Sequence, residues 1–241
     1  MQKFPVTSVK LTKFALGLTL AATLAACGGG DDGPSLTLGG TAATGLALGK
    51  ADVSGLCVSG TNTATTADNG SYSLYIQGTG PCIVTVTKGA VTLRSFSTGT
   101  GNSAVNITPL TNAAVEYFQK LTNAASPSAM LTTPAAVALL SNPVAVQKRI
   151  TEDFVPFVTN TLGVTITGFD FLTVNIDPAT AAGVGGNAAD ADLERFKAVT
   201  TSTGTLLPDV LANLQTKATA DLAAKPLPVV DEPVVPTGAG S

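Results

Sequence analysis

The chain has 241 residues with 13 basic and 16 acidic side chains, no His and no Trp. Without His, Ser-His-Asp and Cys-His catalysis and His-ligated metals are excluded. No Lys has a Ser three residues before it, so the S-x-x-K arrangement is absent too.

Aromatic residues make up 5% of the chain, which is poor material for sugar-stacking platforms or protein hot spots. Charged residues make up 12%, so solubility rests on Thr, Ser, Asn and Gly. No cofactor is expected. Catalysis by carboxylates alone is the one enzymatic route the inventory leaves.

The N-terminus divides into three pieces. Residues 1–13 carry Lys3, Lys10 and Lys13 and no acid. Residues 14–26 (FALGLTLAATLAA) are apolar or small throughout, too short for a stable span, which needs about 20 residues. Leu24-Ala25-Ala26-Cys27 follows, and then a Gly-rich stretch.

This arrangement resembles the signal peptide and lipobox of bacterial lipoproteins. The resemblance implies cleavage before Cys27, a diacylglycerol on its sulfur and a fatty-acyl chain such as palmitate on its new amine. Gly28 after the cysteine favours the outer membrane, with its periplasmic and surface faces both open. The expected organisation is a signal peptide at 1–26 and a lipidated tether at 27–35. Loss of three lysines leaves 10 basic against 16 acidic side chains, a net charge of −6. Such a balance argues against nucleic acid as a partner.

Setting Cys27 aside for lipid leaves Cys57 and Cys82. In an oxidising compartment an even remainder of two reads as one disulfide; two separately buried thiols are the alternative.

Residues 36–108 are written in strand language. Ser71 to Ile76 places Tyr72, Leu74 and Ile76 on one face, and Tyr75 on the other. Cys82, Val84 and Val86 share a face with Thr85 and Thr87 opposite, and Ala51, Val53, Gly55 and Cys57 share another. Both thiols are thus expected to point into one core and bridge it, a constraint of roughly 3 kcal/mol. Turn signals separate the runs: Asp68-Asn69-Gly70, Gly78-Thr79-Gly80-Pro81, Lys88-Gly89 and Gly99-Thr100-Gly101-Asn102.

The segments from Gly40 to Val53 and from Thr65 to Tyr72, the latter a T-x-x-D-x-G-x-Y hairpin, resemble the carboxypeptidase-regulatory-like, or transthyretin-like, β-sandwich module. The resemblance covers residues 36–108. It implies a small sandwich serving as a spacer or binding platform and is nearly silent on activity.

From Asn106 the pattern becomes helical, so the expected fold class is α+β: a transthyretin-like sandwich followed by a mainly helical region at 109–224. Thr111 or Asn112 is expected to cap a helix whose stripe is Ala114, Tyr117, Phe118 and Leu121. Thr133-Pro134 and Asn142-Pro143 read as further helix starts, with Pro156 ending or kinking the second. Val164–Thr167 and Phe171–Val174 fit strands or irregular apolar segments equally. Residues 189–199 read as a short helix, and residues 206–224 as the clearest one, with Leu207, Val210, Leu211, Leu214, Ala218 and Leu222 on one side. The tail, 225–241, reads as extended and disordered.

Candidate sites are few. Gly183 to Ala188 reads as a connection, because the βαβ context of a phosphate loop is missing. Asp190, Asp192 and Glu194 are the densest oxygen cluster, but Arg195 stands where a Ca²⁺ loop needs Gly, and residues two apart diverge on a helix. Asp177-Pro178 reads as a turn start, and Asp170, flanked by Phe169 and Phe171, as an exposed residue between inward rings.

The functional expectation is a non-catalytic, membrane-anchored envelope lipoprotein acting as a binding or structural module, with a protein or envelope-polymer partner left open. The alternatives are a carboxylate-based hydrolase of envelope polymers, resting on Asp170, and an accessory subunit of a surface assembly.

Overall fold

Seven strands and then five α-helices follow one another along the chain in a computed structural model that describes residues 33–168, 170–179 and 186–228. The signal peptide, Cys27, Phe169, Gly183 to Gly185 and residues 229–241 lie outside the described residues. The described part is α+β, with two sheets in a sandwich-like arrangement and a layer of helices. Among the described residues, no helix is long and apolar enough to cross a membrane.

β1 (Ser35–Thr41), β4 (Ser71–Gln77) and β7 (Ser103–Ala104) form one sheet in the order β4-β1-β7, with β1 antiparallel to β4 and parallel to β7. β2 (Asp52–Ser59), β3 (Thr61–Thr65), β5 (Thr79–Lys88) and β6 (Val91–Phe96) form an antiparallel sheet ordered β3-β2-β5-β6. Period-two alternation builds the core between them. Leu36, Leu38, Tyr72, Leu74 and Ile76 come from one sheet; Val53, Cys57, Cys82, Val84 and Leu93 come from the other. Gly55 leaves room for the facing sheet: a Cβ there would lie 2.8 Å from Ile76 Cδ1 and displace that side chain.

Cys57 and Cys82 form a disulfide. The expectation that it would bridge the core needs correcting. The two residues are directly opposed neighbours on β2 and β5, so the bond staples two strands of one sheet while its sulfurs face the core. The hairpin expected at Thr65 to Tyr72 is also different. β3 and β4 belong to different sheets, and the turn at Asp68-Asn69-Gly70 carries the chain across the sandwich. Thr66 fixes that crossing, its hydroxyl donating to Leu48 O and accepting from Ala51 N–H at 2.8 Å.

β5 and β6 are covered on both faces. Ile83 and Phe96 point away from the sandwich core and into a second one built by the helices. There the Phe96 ring lies 5.0 Å from Phe118, which sits 5.5 Å from Tyr117, and Tyr117 lies 5.7 Å from Phe154. α1 (Pro109–Leu121) supplies Tyr117 and Phe118. Its cap is Thr108, with Pro109 in the first turn, and not Thr111 or Asn112 as expected. Thr111 completes that cap, its Oγ1 accepting from Thr108 N–H at 2.9 Å, and also donates to Arg94 O at 3.1 Å, while Asn112 Oδ1 accepts from Arg94 N–H at 3.0 Å.

α2 (Pro134–Leu140) and α3 (Pro143–Arg149) start at the expected prolines. Pro156 does not end the helix that α3 begins. Wide turns at Ile150–Phe154 and Phe157–Thr161 flank it, with Val155 N–H reaching Ile150 O and Leu162 N–H reaching Phe157 O. A π-type turn lets a helix carry the residue that lacks an N–H. Val164–Thr167 and Phe171–Val174 are irregular, not strands. α4 (Ala188–Phe196) and α5 (Pro208–Ala224) complete the layer. Leu207 precedes α5 and is exposed, so it leaves the apolar stripe expected for that helix.

Candidate functional site

A partly enclosed depression lies where the irregular segment after Ile166 meets α4. It is a cavity of about 200 Å³ walled by Leu110, Phe171, Val174, Ile176, Ala189 and Leu193, with Thr167 and Asp192 on its polar side. Asn106 positions this wall. Its amide donates to Val174 O at 2.6 Å while its oxygen accepts from Thr41 N–H at 3.1 Å, tying the irregular segment to β1. The Thr41 hydroxyl adds a bond to Ile176 O at 3.3 Å.

The three acidic residues of α4 go separate ways, as helical geometry requires. Asp192 is buried and saturated: its Oδ2 accepts from Thr167 N–H at 2.9 Å, the Thr167 hydroxyl donates at 3.0 Å, and Arg195 pairs with Oδ1. Glu194 lies on the surface, paired to Lys197. Asp190 is buried under the first turn, where its N–H donates to the capping Asn187 at 3.1 Å and its Oδ2 accepts from Ala179 N–H at 3.3 Å. Its Oδ1 has no partner among the described residues. Burial pushes the Asp190 carboxyl above its usual range, helped by the nearby Glu194 and Asp177 charges and opposed by the Ala179 bond and Lys197. Among the described residues no three acidic or Cys side chains gather as a metal site would need.

Asp170 is exposed on the rim of an open groove of about 530 Å³, beside Val144 and Lys148, and no second carboxylate lines that groove. Its carbonyl, not its side chain, organises the turn, accepting from Thr173 and Val174 N–H at 2.9 and 2.8 Å. Glycoside hydrolysis by carboxylates uses a facing pair. Asp177 is exposed and its carbonyl accepts from Asn187 N–H at 3.2 Å.

Of the two tyrosines on β4, Tyr72 is buried, its hydroxyl donating to Val105 O, and burial drives its pKa far upward. Tyr75 is on the surface.

One polar cluster escaped sequence reasoning. Asp153, buried, accepts from Arg149 at 3.1 Å and from Lys225 at 2.9 Å, and Arg149 also donates to Lys225 O. Nearby, Tyr117 donates to Asp221 at 2.7 Å, and Lys217 pairs with the same carboxylate. The i,i+4 spacings of Arg149 with Asp153 and of Lys217 with Asp221 were the available signal. The tail expected to be disordered from Lys225 therefore begins with a fixed residue, and Leu227 packs on the helical core. The cluster joins α1, α3 and α5 and is structural.

Comparison with protein-family models, with curated proteins and with solved structures gives no match to this chain.

Proposed function

We propose that this chain is a bacterial envelope lipoprotein: exported, cut before Cys27, and held by acyl chains on that cysteine at the outer membrane. There the transthyretin-like sandwich and its helical layer act as a non-catalytic binding or structural module.

The observation that carries this reading is the Cys57–Cys82 disulfide. Structural disulfides persist in oxidising compartments, and the pair is what remains once Cys27 is assigned to lipid. Further support comes from the sandwich-like pair of sheets and from the T-x-x-D-x-G-x-Y segment at the crossing between them. Asp170, on which a hydrolase would rest, lacks a facing carboxylate in its groove.

The test is metabolic labelling of cells expressing the full chain with an alkyne-bearing palmitate analogue. Label on the wild-type protein, its loss in Cys27→Ser, and accumulation of a longer precursor when the lipoprotein-processing peptidase is inhibited are expected. Equal labelling of wild type and Cys27→Ser, or unshifted precursor mobility under inhibition, would overturn the reading.

A further inference from the structure

Apart from Arg94, which stands on β6 under the first turn of α1, the charges of the sandwich strands and turns lie at one end. Lys50, Asp52, Asp68 and Lys88 all sit beside the turns where β2 begins, β4 begins and β5 ends. The opposite end is built from residues 33–37, 56–62, 75–83 and 97–103, none of which is charged. Hydrogen bonds define it: Gly78 N–H donates to Pro34 O at 2.7 Å, Thr37 N–H to Asn102 Oδ1 at 2.6 Å, and Gly80 N–H to Thr100 O at 3.4 Å. Gly99 N–H donates to Leu140 O at 2.8 Å and joins this end to the helical layer, where charge returns: Lys148 and Asp170 line one groove with Thr98 and Val144.

Three of the exposed apolar side chains stand on the strands of this same end. Tyr75 is 53% exposed on the outer face of β4, and Leu56 and Val58 are each 44% exposed on the outer face of β2. Single exposed apolar residues need no explanation; several of them on an uncharged surface do.

The described chain also begins here, at Gly33, directly beside the Pro34–Gly78 bond. Five residues lie between Cys27 and Gly33, the last two being Asp31 and Asp32, a covalent reach of about 20 Å when fully extended.

We propose that this uncharged end of the sandwich is a lipid-facing surface, resting on the bilayer that holds Cys27, with Tyr75, Leu56 and Val58 in the headgroup region. The inference rests on the lipid-anchor reading above. Bringing charged side chains against a bilayer costs desolvation, and an end without any avoids that cost. Tyrosine, with an apolar ring and a polar tip, suits the interface. Acyl chains supply the affinity, and the apolar contacts set the orientation. The strands and turns of this end carry no Lys or Arg, so the contact needs no anionic lipid and depends little on salt.

The chain contains no Trp, so single tryptophans report position directly. Lipidated protein carrying Tyr75→Trp, Val58→Trp or, at the charged end, Lys88→Trp is placed in phosphatidylcholine vesicles containing a headgroup spin label. All three positions are exposed, so folding is not at stake. Quenching about twofold or more stronger at positions 75 and 58 than at 88, unchanged in high salt, is expected of a surface the short tether holds at the interface.

Flotation of the vesicles is read in the same samples. Protein that floats with equal quenching at all three positions overturns the lipid-facing surface and leaves the anchor standing. Protein that does not float removes the anchor and the surface with it. A concentration-dependent dimer that buries position 75 without lipid quenching assigns the face to a second copy and also overturns the proposal.

Discussion

The sandwich and the helical layer are stabilised by different means, although they share the sheet of β5 and β6. Between the two sheets the core is apolar and alternating, with one covalent staple and no ionised side chain among its buried residues. The helical layer instead buries Arg149, Asp153, Asp192 and Asp221 in pairs, with Asp190 buried without an ion pair. Short helices that start at proline and widen around Pro156 are held by tertiary contacts, and polar pairs fix which contacts form. The difference means that each half has its own point of failure.

The largest effect is expected at Asp153. Asp153→Ala leaves Arg149 buried without its carboxylate, a loss of about 3 to 5 kcal/mol. Urea unfolding gives the magnitude, and hydrogen exchange should show α1, α3 and α5 loosened while β1, β2, β4 and β5 keep their protection. The same residue sets an acid limit. The hydrogen bonds and charges of Lys225 and Arg149 hold the Asp153 carboxyl below its ordinary value against the opposing pull of burial. A depressed carboxyl contributes stability above its unfolded-state pKa, and that contribution is lost as pH falls through the lower folded-state value. Stability should therefore decline on acidification, and less steeply in Asp153→Ala.

Next comes the staple. Cys57→Ala with Cys82→Ala should cost about 3 kcal/mol, since a sequence separation of 25 residues is released in the unfolded chain. Here exchange should rise in β2 and β5 first, reversing the order seen for Asp153→Ala. Equal loosening of both halves in both variants would contradict the separation.

The smallest effect is at Asp190, and its sign is opposite. Its raised carboxyl pKa means that the folded state favours the protonated form, so stability falls as pH rises through that value. Asp190→Asn should leave neutral-pH stability unchanged or raise it by about 1 kcal/mol or less, and flatten that part of the pH profile.

The same contrast explains what the sequence could reveal. β2, β4 and β5 were legible because Val53-x-Gly55-x-Cys57, Tyr72-x-Leu74-x-Ile76 and Cys82-x-Val84-x-Val86 alternate against one core. β6 was not, because Leu93 faces that core while Phe96 faces the helices, and Arg94 sits between them under the first turn of α1. The pairing of Cys57 with Cys82 followed from count and facing. That they are neighbours in one sheet depended on strand order, which local pattern does not encode.

In the helical layer the proline starts of α2 and α3 were visible, whereas the passage of the helix through Pro156 depends on π-type turns with no local signal. The cavity beside α4 was invisible for a similar reason. Asn106, Phe171 and Asp192 are far apart in sequence and meet only through bonds such as Asn106 to Val174 O and Asp192 to Thr167. The uncharged end of the sandwich was present in the sequence as charge-free runs, but only the strand register brings those runs to one place.

The reading of an anchored, disulfide-stapled envelope protein is tested most directly by the intact mass of the mature protein extracted from membranes without reductant. A chain beginning at Cys27, carrying a diacylglycerol and an additional acyl chain, and lighter by two hydrogens than its reduced form, is the expected result. A mass corresponding to an unacylated chain, or one unchanged by reduction, would contradict it.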